Sequence, residues 1–216
     1  MTAWSSGATD ADPPWFRPVE TPAGARALIA IGRGAGGGVK ARRRNGRRLL
    51  ARAQAALGLP PLAAGRDGFG APVWPAGQRG SLSHWRAFSL CLLARGEAFD
   101  FGADLEGFAD PEARAAIRSE ALDATEVALL GAAGLPEGMA EALAFSAKEA
   151  FYKAAFPRLR RRIGFDAVMI GAPPAGGRIA LGIPRGLGPG LPAGGRLDLG
   201  YAVFGRAVVT WLALPV

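Results

Sequence analysis

Apolar residues recur along the chain with two different periods. Residues 25–31 read as a short strand, and 42–57 place Leu49, Leu50, Ala53, Ala56 and Leu57 near a 3.6-residue repeat that Gly58 and Pro60 stop. Phe88, Leu90 and Leu92 alternate with smaller or polar neighbours, and 99–106 is a second strand. The Arg95-Gly96-Glu97 turn between them predicts an antiparallel pair. Asp110-Pro111-Glu112 supplies an N-cap, a first-turn proline and a first-turn acid, opening a helix that runs to Leu122. Asp123-x-x-Glu126 repeats that start signal for a helix ending near Gly131, and a third helix covers 139–156. From Phe165 the chain returns to short strands, and 197–204 with 207–214 predict a hairpin turning at Gly205-Arg206. Residues 1–24, with Pro13, Pro14, Pro18 and Pro22, read as a loosely ordered lead-in whose Trp4, Trp15 and Phe16 offer docking points. The rest divides into 25–100 and 101–216, each running from a strand through helical material to further strands.

Composition narrows the class. Half of the 216 residues are hydrophobic, which marks a packed globule, while 32 Gly and 17 Pro account for the short elements. One histidine, His84, and one cysteine, Cys91, exclude a disulfide framework, a Cys/His zinc site and any chemistry that needs two imidazoles. No apolar run reaches bilayer-spanning length or resembles a signal segment, so a cytoplasmic protein is expected. Lys and Arg number 26 against 18 Asp and Glu, a net charge of +8 that points to anionic partners. The excess is concentrated. Between Glu20 and Asp67 lie ten cations and no acid, six of them being Lys40, Arg42, Arg43, Arg44, Arg47 and Arg48.

Three segments carry candidate chemistry. In Gly102-Ala103-Asp104-Leu105-Glu106, positions two apart on a strand project from one face, so Asp104 and Glu106 stand side by side. Two such carboxylates repel unless a cation joins them, and oxygen-only donors suit Mg²⁺; a solvated strand end is the competing reading. In residues 145–153, Glu149 shares a helix face with Phe145, Tyr152 and Phe156. Here Ser146-x-x-Glu149 also fits a capping box, and Glu149 with Lys153 fits a surface ion pair. Two of the chain's three lysines, Lys148 and Lys153, flank this glutamate, and an ammonium is not interchangeable with guanidinium where one phosphate oxygen must be gripped. The third segment, 70–84, is a turn-rich loop feeding a strand on which Ser83 and His84 could donate to a phosphate. A hydrogen-bonded structural histidine is the alternative.

Taken in order, Pro72-Val73-Trp74-Pro75, Gly80-Ser81-Leu82-Ser83-His84, Gly102-Ala103-Asp104-Leu105-Glu106 and residues 145–154 resemble the 4′-phosphopantetheinyl transferases, notably the Sfp type and its enterobactin synthase component D-like branch. The resemblance implies an α+β fold of two similar α/β halves in one chain, related by a pseudo-twofold axis, with the cofactor site at their interface. It also implies Mg²⁺-dependent transfer of 4′-phosphopantetheine from coenzyme A to a serine of an acyl or peptidyl carrier protein, leaving 3′,5′-ADP. Siderophore, nonribosomal peptide and polyketide assembly all use such a step. By the same resemblance Asp104, Glu106 and Glu149 hold the metal, Glu149 and Lys153 act in catalysis, and Lys148 and Lys153 contact phosphates. Ser83 and His84 meet the nucleotide 3′-phosphate, and Arg47, with Arg42 and Arg43, reaches the nucleotide phosphates. The basic segments 42–52 and 158–162 would dock the acidic carrier, and the enzyme would be a monomer. The sequence departs from the family at Trp85, where a small residue is usual, and at Gly70-Ala71, where a basic one is frequent, with Arg66 the nearest replacement. Two other readings compete. A basic nucleic-acid-binding protein is opposed by the lack of a recognised motif, and an inactive coenzyme A-binding relative by the retained Asp104, Glu106 and Glu149.

Overall fold

The computed structural model of the chain describes residues 3–4, 14–35 and 38–216. Strands β1 (Ala3–Trp4), β2 (Trp15–Glu20) and β3 (Arg26–Arg33) precede helix α1 (Gly38–Ala56). A small hairpin, β4 (Gly65–Arg66) and β5 (Pro72–Val73), leads into β6 (Gln78–Trp85), β7 (Phe88–Arg95) and β8 (Phe99–Gly107). Helices α2 (Pro111–Ala121), α3 (Ala124–Gly131) and α4 (Met139–Leu159) follow. A 3₁₀ turn at Phe165–Ala167 then leads to β9 (Met169–Ile170), β10 (Arg178–Gly182), β11 (Arg196–Phe204) and β12 (Ala207–Pro215).

Alternation decides how these elements stack. On β3 and β7, Ile29, Ile31, Leu90 and Leu92 face one way while Leu28, Ala30, Cys91 and Leu93 face the other. Both faces are apolar, so both must be covered. Leu49, Leu50 and Ala53 of α1 cover the second face. The first meets Phe101, Ala103 and Leu105 of β8 with Val209, Trp211 and Ala213 of β12. The opposite face of that second sheet, including Val208 and Leu212, packs under Leu143, Ala147, Phe151 and Ala154 of α4. The mixed α/β fold is thus four layers: α1, the sheet β2-β3-β7-β6, the sheet β8-β12-β11-β10-β9 with β1 beside β11, and α4.

Local signals are realised closely. Asp110 accepts a hydrogen bond from the Ala113 amide at 2.9 Å, and Asp123 with Glu126 forms the complete capping box. The predicted pairing across Arg95-Gly96-Glu97 is not formed. Both edges of β7 are taken, by β3 and β6, so the turn hands the chain to the other sheet, where β8 pairs with β12. The lead-in expected over 1–24 also differs in part. Trp15–Glu20 is a strand paired with β3, and Trp15 packs on the inter-sheet core; residues 5–13 lie outside the described residues. No helix among the described residues is long and apolar enough to cross a membrane.

Helix α4 and strand β8 pack tightly at Gly102. A Cβ there would lie 1.8 Å from the Ala150 carbonyl oxygen of α4, a backbone atom that cannot swing aside. Gly102→Ala is expected to cost at least about 2 kcal/mol, lowering the thermal midpoint by several degrees. Gly131→Ala, with nothing within 4 Å of its new Cβ, is the control that should not lower it in the same melt.

Candidate active site

Because Ala103 and Leu105 face the inter-sheet core, Gly102, Asp104 and Glu106 face α4. Thr210 is the cross-strand neighbour of Asp104, and its hydroxyl pairs with that of Ser146 at 2.9 Å. Ser146 is therefore an interior residue of α4 and caps nothing. Further along the helix, the Lys153 ammonium reaches down to Asp104 Oδ1 at 2.5 Å, with Ser83 Oγ at 3.1 Å and the Ala103 carbonyl at 3.4 Å. Ser83 in turn donates to Asp104 Oδ1 at 2.7 Å. Lys153 thus pairs with Asp104 and not, as the helical spacing suggested, with Glu149.

This arrangement leaves the other carboxylate oxygen, Asp104 Oδ2, buried with no hydrogen-bond partner. Burial and then the Asp104 charge push the Glu106 carboxyl up to about 7, with Glu149 adding to the rise and Lys153 opposing it. Glu149 is raised as well, chiefly by burial, with the Lys153 charge opposing and that of Asp104 adding to the rise. The three carboxylates predicted from sequence therefore share one electrostatic neighbourhood, carried by β8 and α4.

Lys148 lies apart from this group. Expected at a phosphate, it is buried on another side of α4, where its ammonium donates to the Ala121 carbonyl at 2.6 Å and the Phe165 carbonyl at 3.1 Å and pairs with Glu126 at 2.8 Å. Glu126, itself 2% exposed, also accepts from the amides of Asp123 and Ile170. All three ammonium protons are spent holding α4 to its neighbours. Ser83, also expected at a phosphate, is buried, and its hydroxyl donates to Asp104.

Beside the carboxylates, a cleft of about 370 Å³ lies between β6, the β4–β5 hairpin and α4, with Arg66, Arg79, Ser81, His84, Tyr152 and Lys153 among its walls. Of these walls, Arg66 was expected only as a replacement for the basic residue missing at Gly70-Ala71, Ser81 only as part of the segment before His84, and Tyr152 only by its helical spacing from Glu149. His84 faces α1, where a Cβ on Gly46 would come within 3.0 Å of its ring, and its Nδ1 lies 3.0 Å from Ser89 Oγ. Burial first, then Lys153, Arg42 and Arg66, hold the imidazole below its ordinary pKa. So many cations round one neutral ring make this an anion-seeking corner. Of the predicted α1 arginines, Arg42 reaches it; Arg43 and Arg47 are exposed further round the helix. Trp85 does not crowd it, since strand alternation sends its indole the opposite way, onto Gly107 and Phe88.

Arginines of the basic cluster 158–162 make bonds within the fold. Arg158 bonds Asp100 and the Pro215 carbonyl, Arg160 bonds Asp67, and Arg161 bonds the Leu187 carbonyl. Arg160, Arg161 and Arg162 nonetheless remain exposed.

Among the described residues no three His, Cys, Asp or Glu side chains are gathered as a ready metal cage. Mg²⁺ does not need one: it takes one or two carboxylates and fills its remaining positions with water and substrate phosphates. The all-oxygen donor set and the buried, unpartnered Asp104 Oδ2 fit that cation.

Comparison with known proteins finds a family and relatives. Residues 36–94 match the family model of the 4′-phosphopantetheinyl transferase N-terminal domain, and residues 100–185 match that of the 4′-phosphopantetheinyl transferase superfamily. Enterobactin synthase component D of Salmonella typhi is 35% identical over 99 residues, 46% of this chain and 41% of that protein. The 4′-phosphopantetheinyl transferase Npt of Nocardia iowensis is 38% identical over 142 residues, 61% of this chain and 60% of that one. For the 4′-phosphopantetheinyl transferase Svp of Streptomyces mobaraensis the figures are 36% over 144 residues, 65% and 56%. The chain thus spans about half the length of these curated relatives. It belongs to the 4′-phosphopantetheinyl transferase superfamily.

A carboxyl whose pKa is higher folded than unfolded binds its proton more tightly in the folded chain, so stability falls as pH rises between the two values. For Glu106 that window runs from about 4.5 to about 7. The thermal midpoint of the metal-free protein is expected to decline across it, and Glu106→Gln to flatten the decline; an unchanged slope in the variant would refute the assignment.

Proposed function

We propose that the chain transfers the 4′-phosphopantetheine group of coenzyme A to a serine hydroxyl of an acyl or peptidyl carrier protein, leaving 3′,5′-ADP. One observation carries this reading: Asp104, Glu106 and Glu149 share a single electrostatic neighbourhood, and Lys153 beside them lines a cationic cleft. Family membership supplies the reaction type. In this reading coenzyme A lies between the two α/β halves, taken as related by a pseudo-twofold axis.

Asp104 and Glu106, with Glu149, would hold Mg²⁺, which when bound neutralises charge on the pyrophosphate of coenzyme A. Glu149 as carboxylate accepts the serine proton as the serine oxygen bonds to the phosphorus bearing the pantetheine arm; the bond from that phosphorus to the ADP oxygen breaks in line. Lys153, partly exposed and already orienting Asp104, presents positive charge to the phosphates from the other side. His84 and Arg42 serve the nucleotide phosphates as donors, with Arg43 and Arg47 further out along α1. The exposed Arg48 and Arg52 extend the same basic face toward an acidic carrier. A monomer working in the cytoplasm completes the reading, on the strength of the resemblance.

Mass spectrometry of an apo carrier incubated with this chain, coenzyme A and Mg²⁺ tests the reaction. The expected result is a gain of one phosphopantetheine group, lost with Glu149→Gln or EDTA. A chain that binds no coenzyme A overturns the reading. For the docking face, Arg48→Glu with Arg52→Glu is expected to raise KM for the carrier about tenfold, through lost electrostatic steering, and to leave KM for coenzyme A unchanged. Parallel rises in both would place those arginines elsewhere.

A further inference from the structure

Two charged side chains that the proposed reaction does not use are almost wholly buried: Glu126 is 2% exposed and Lys148 3%. They meet at 2.8 Å, and together they tie α4 to α2, α3, the 3₁₀ turn and β9. The Lys148 ammonium donates to the Ala121 carbonyl at the end of α2 at 2.6 Å and to the Phe165 carbonyl of the turn at 3.1 Å. Glu126, in the first turn of α3, accepts the Asp123 amide at 3.0 Å through Oε2 and the Ile170 amide of β9 at 2.7 Å through Oε1. No polar atom of either side chain is left unanswered.

Desolvating two charges costs about what their attraction returns, so an ion pair this deep adds little stability over an apolar pair of the same volume. Its bonds can be made in one arrangement only, and α4 has need of such a constraint. Ala142, Ala144, Ala147, Ala150, Ala154 and Ala155 are all buried on this helix, and alanine lacks the bulk to build the ridges that fix a helix's rotation in its groove. Glu149 follows Lys148 directly and has no hydrogen bond of its own among the described residues, so its place beside Asp104 and Glu106 depends on how α4 is turned. Resting on the reading of these three as the carboxylates that hold the metal, we propose that Glu126 and Lys148 are positioning residues: the buried pair sets the rotation of α4 that brings Glu149 to the other two, and it serves that register in place of stability. Lys153 holds the helix from the sheet side and Lys148 from the side of α2 and α3, so a helix that could roll about either bond alone is held against rolling by both.

Two double variants of the full chain separate register from stability. In Glu126→Gln with Lys148→Met both charges go together; the new amide still accepts from a backbone N–H and donates to a freed carbonyl, but the tie to α4 is cut. In Glu126→Gln with Lys148→Gln the charges go and a side-chain hydrogen bond to α4 is kept. The first variant is expected to melt cooperatively near the wild-type midpoint and to lose at least about tenfold in kcat for transfer to an apo carrier, with KM for coenzyme A unchanged. It is also expected to need about tenfold more Mg²⁺, in the presence of coenzyme A, for the same rise in thermal midpoint. The second is expected to recover most of both losses. Wild-type kcat and Mg²⁺ response in the first variant overturn the positioning role, as does a second variant no better than the first. A first variant that no longer melts cooperatively overturns it too, since the pair would then be kept for stability. A wild-type chain that transfers nothing, and whose midpoint Mg²⁺ and coenzyme A do not raise, fails the functional reading itself and the positioning role with it, a result seen before any variant is compared.

Discussion

A single ammonium group joins the two sheets and helix α4. Lys153 of α4 donates to Asp104 of β8 and Ser83 of β6, and Ser83 donates to the same carboxylate oxygen. A guanidinium, planar and larger, could not sit among a hydroxyl, a carbonyl and a carboxylate in this way; a compact ammonium with three tetrahedrally disposed protons can. Everything electrostatic about the site follows. With one oxygen of Asp104 saturated and the other buried and unpartnered, neighbouring carboxylates feel an anion that is only half answered.

The second buried lysine works to a different end. Lys148 and Lys153 are five residues apart on one helix, about 140° round it, so they leave α4 on different sides. Lys148 is locked to Glu126 and two carbonyls under α2 and α3; Lys153 is locked to β8 and β6. The stretch of α4 that carries Glu149 lies between these two anchors. Close packing at Gly102 adds a third constraint, since helix and strand touch backbone to backbone there.

Much of the fold could be read in the sequence wherever a local rule governs. The caps at Asp110 and Asp123, the final hairpin at Gly205-Arg206 and the stripe on α1 are local, and the chain obeys them. The Arg95-Gly96-Glu97 turn misleads because partner choice is decided elsewhere: β6 and β3 occupy both edges of β7. The carboxylates of the site were legible from strand and helix periodicity. Lysine roles were not, because 148 and 153 carry the same side chain and only tertiary contacts distinguish a structural ion pair from a site group. Arg158, Arg160 and Arg161 show the same limit: in one dimension they read only as a basic patch, and in three they also bond Asp100, Asp67 and backbone carbonyls.

Strand order carries a consequence for how the molecule comes into being. β12 lies between β8 and β11, pairing with both, and it is the last strand of the fold in chain order. As the polypeptide emerges from the ribosome, the strand bearing Asp104 and Glu106 has no hydrogen-bonded neighbour until some hundred residues later. The inner face of the first sheet, with Ile29, Ile31, Leu90 and Leu92, waits equally long for its full cover. Sheet closure, inter-sheet burial and the placing of Thr210 beside Asp104 therefore arrive in one late event. A nascent chain stalled before residue 207 would carry the chemistry of the site without the architecture that makes it work.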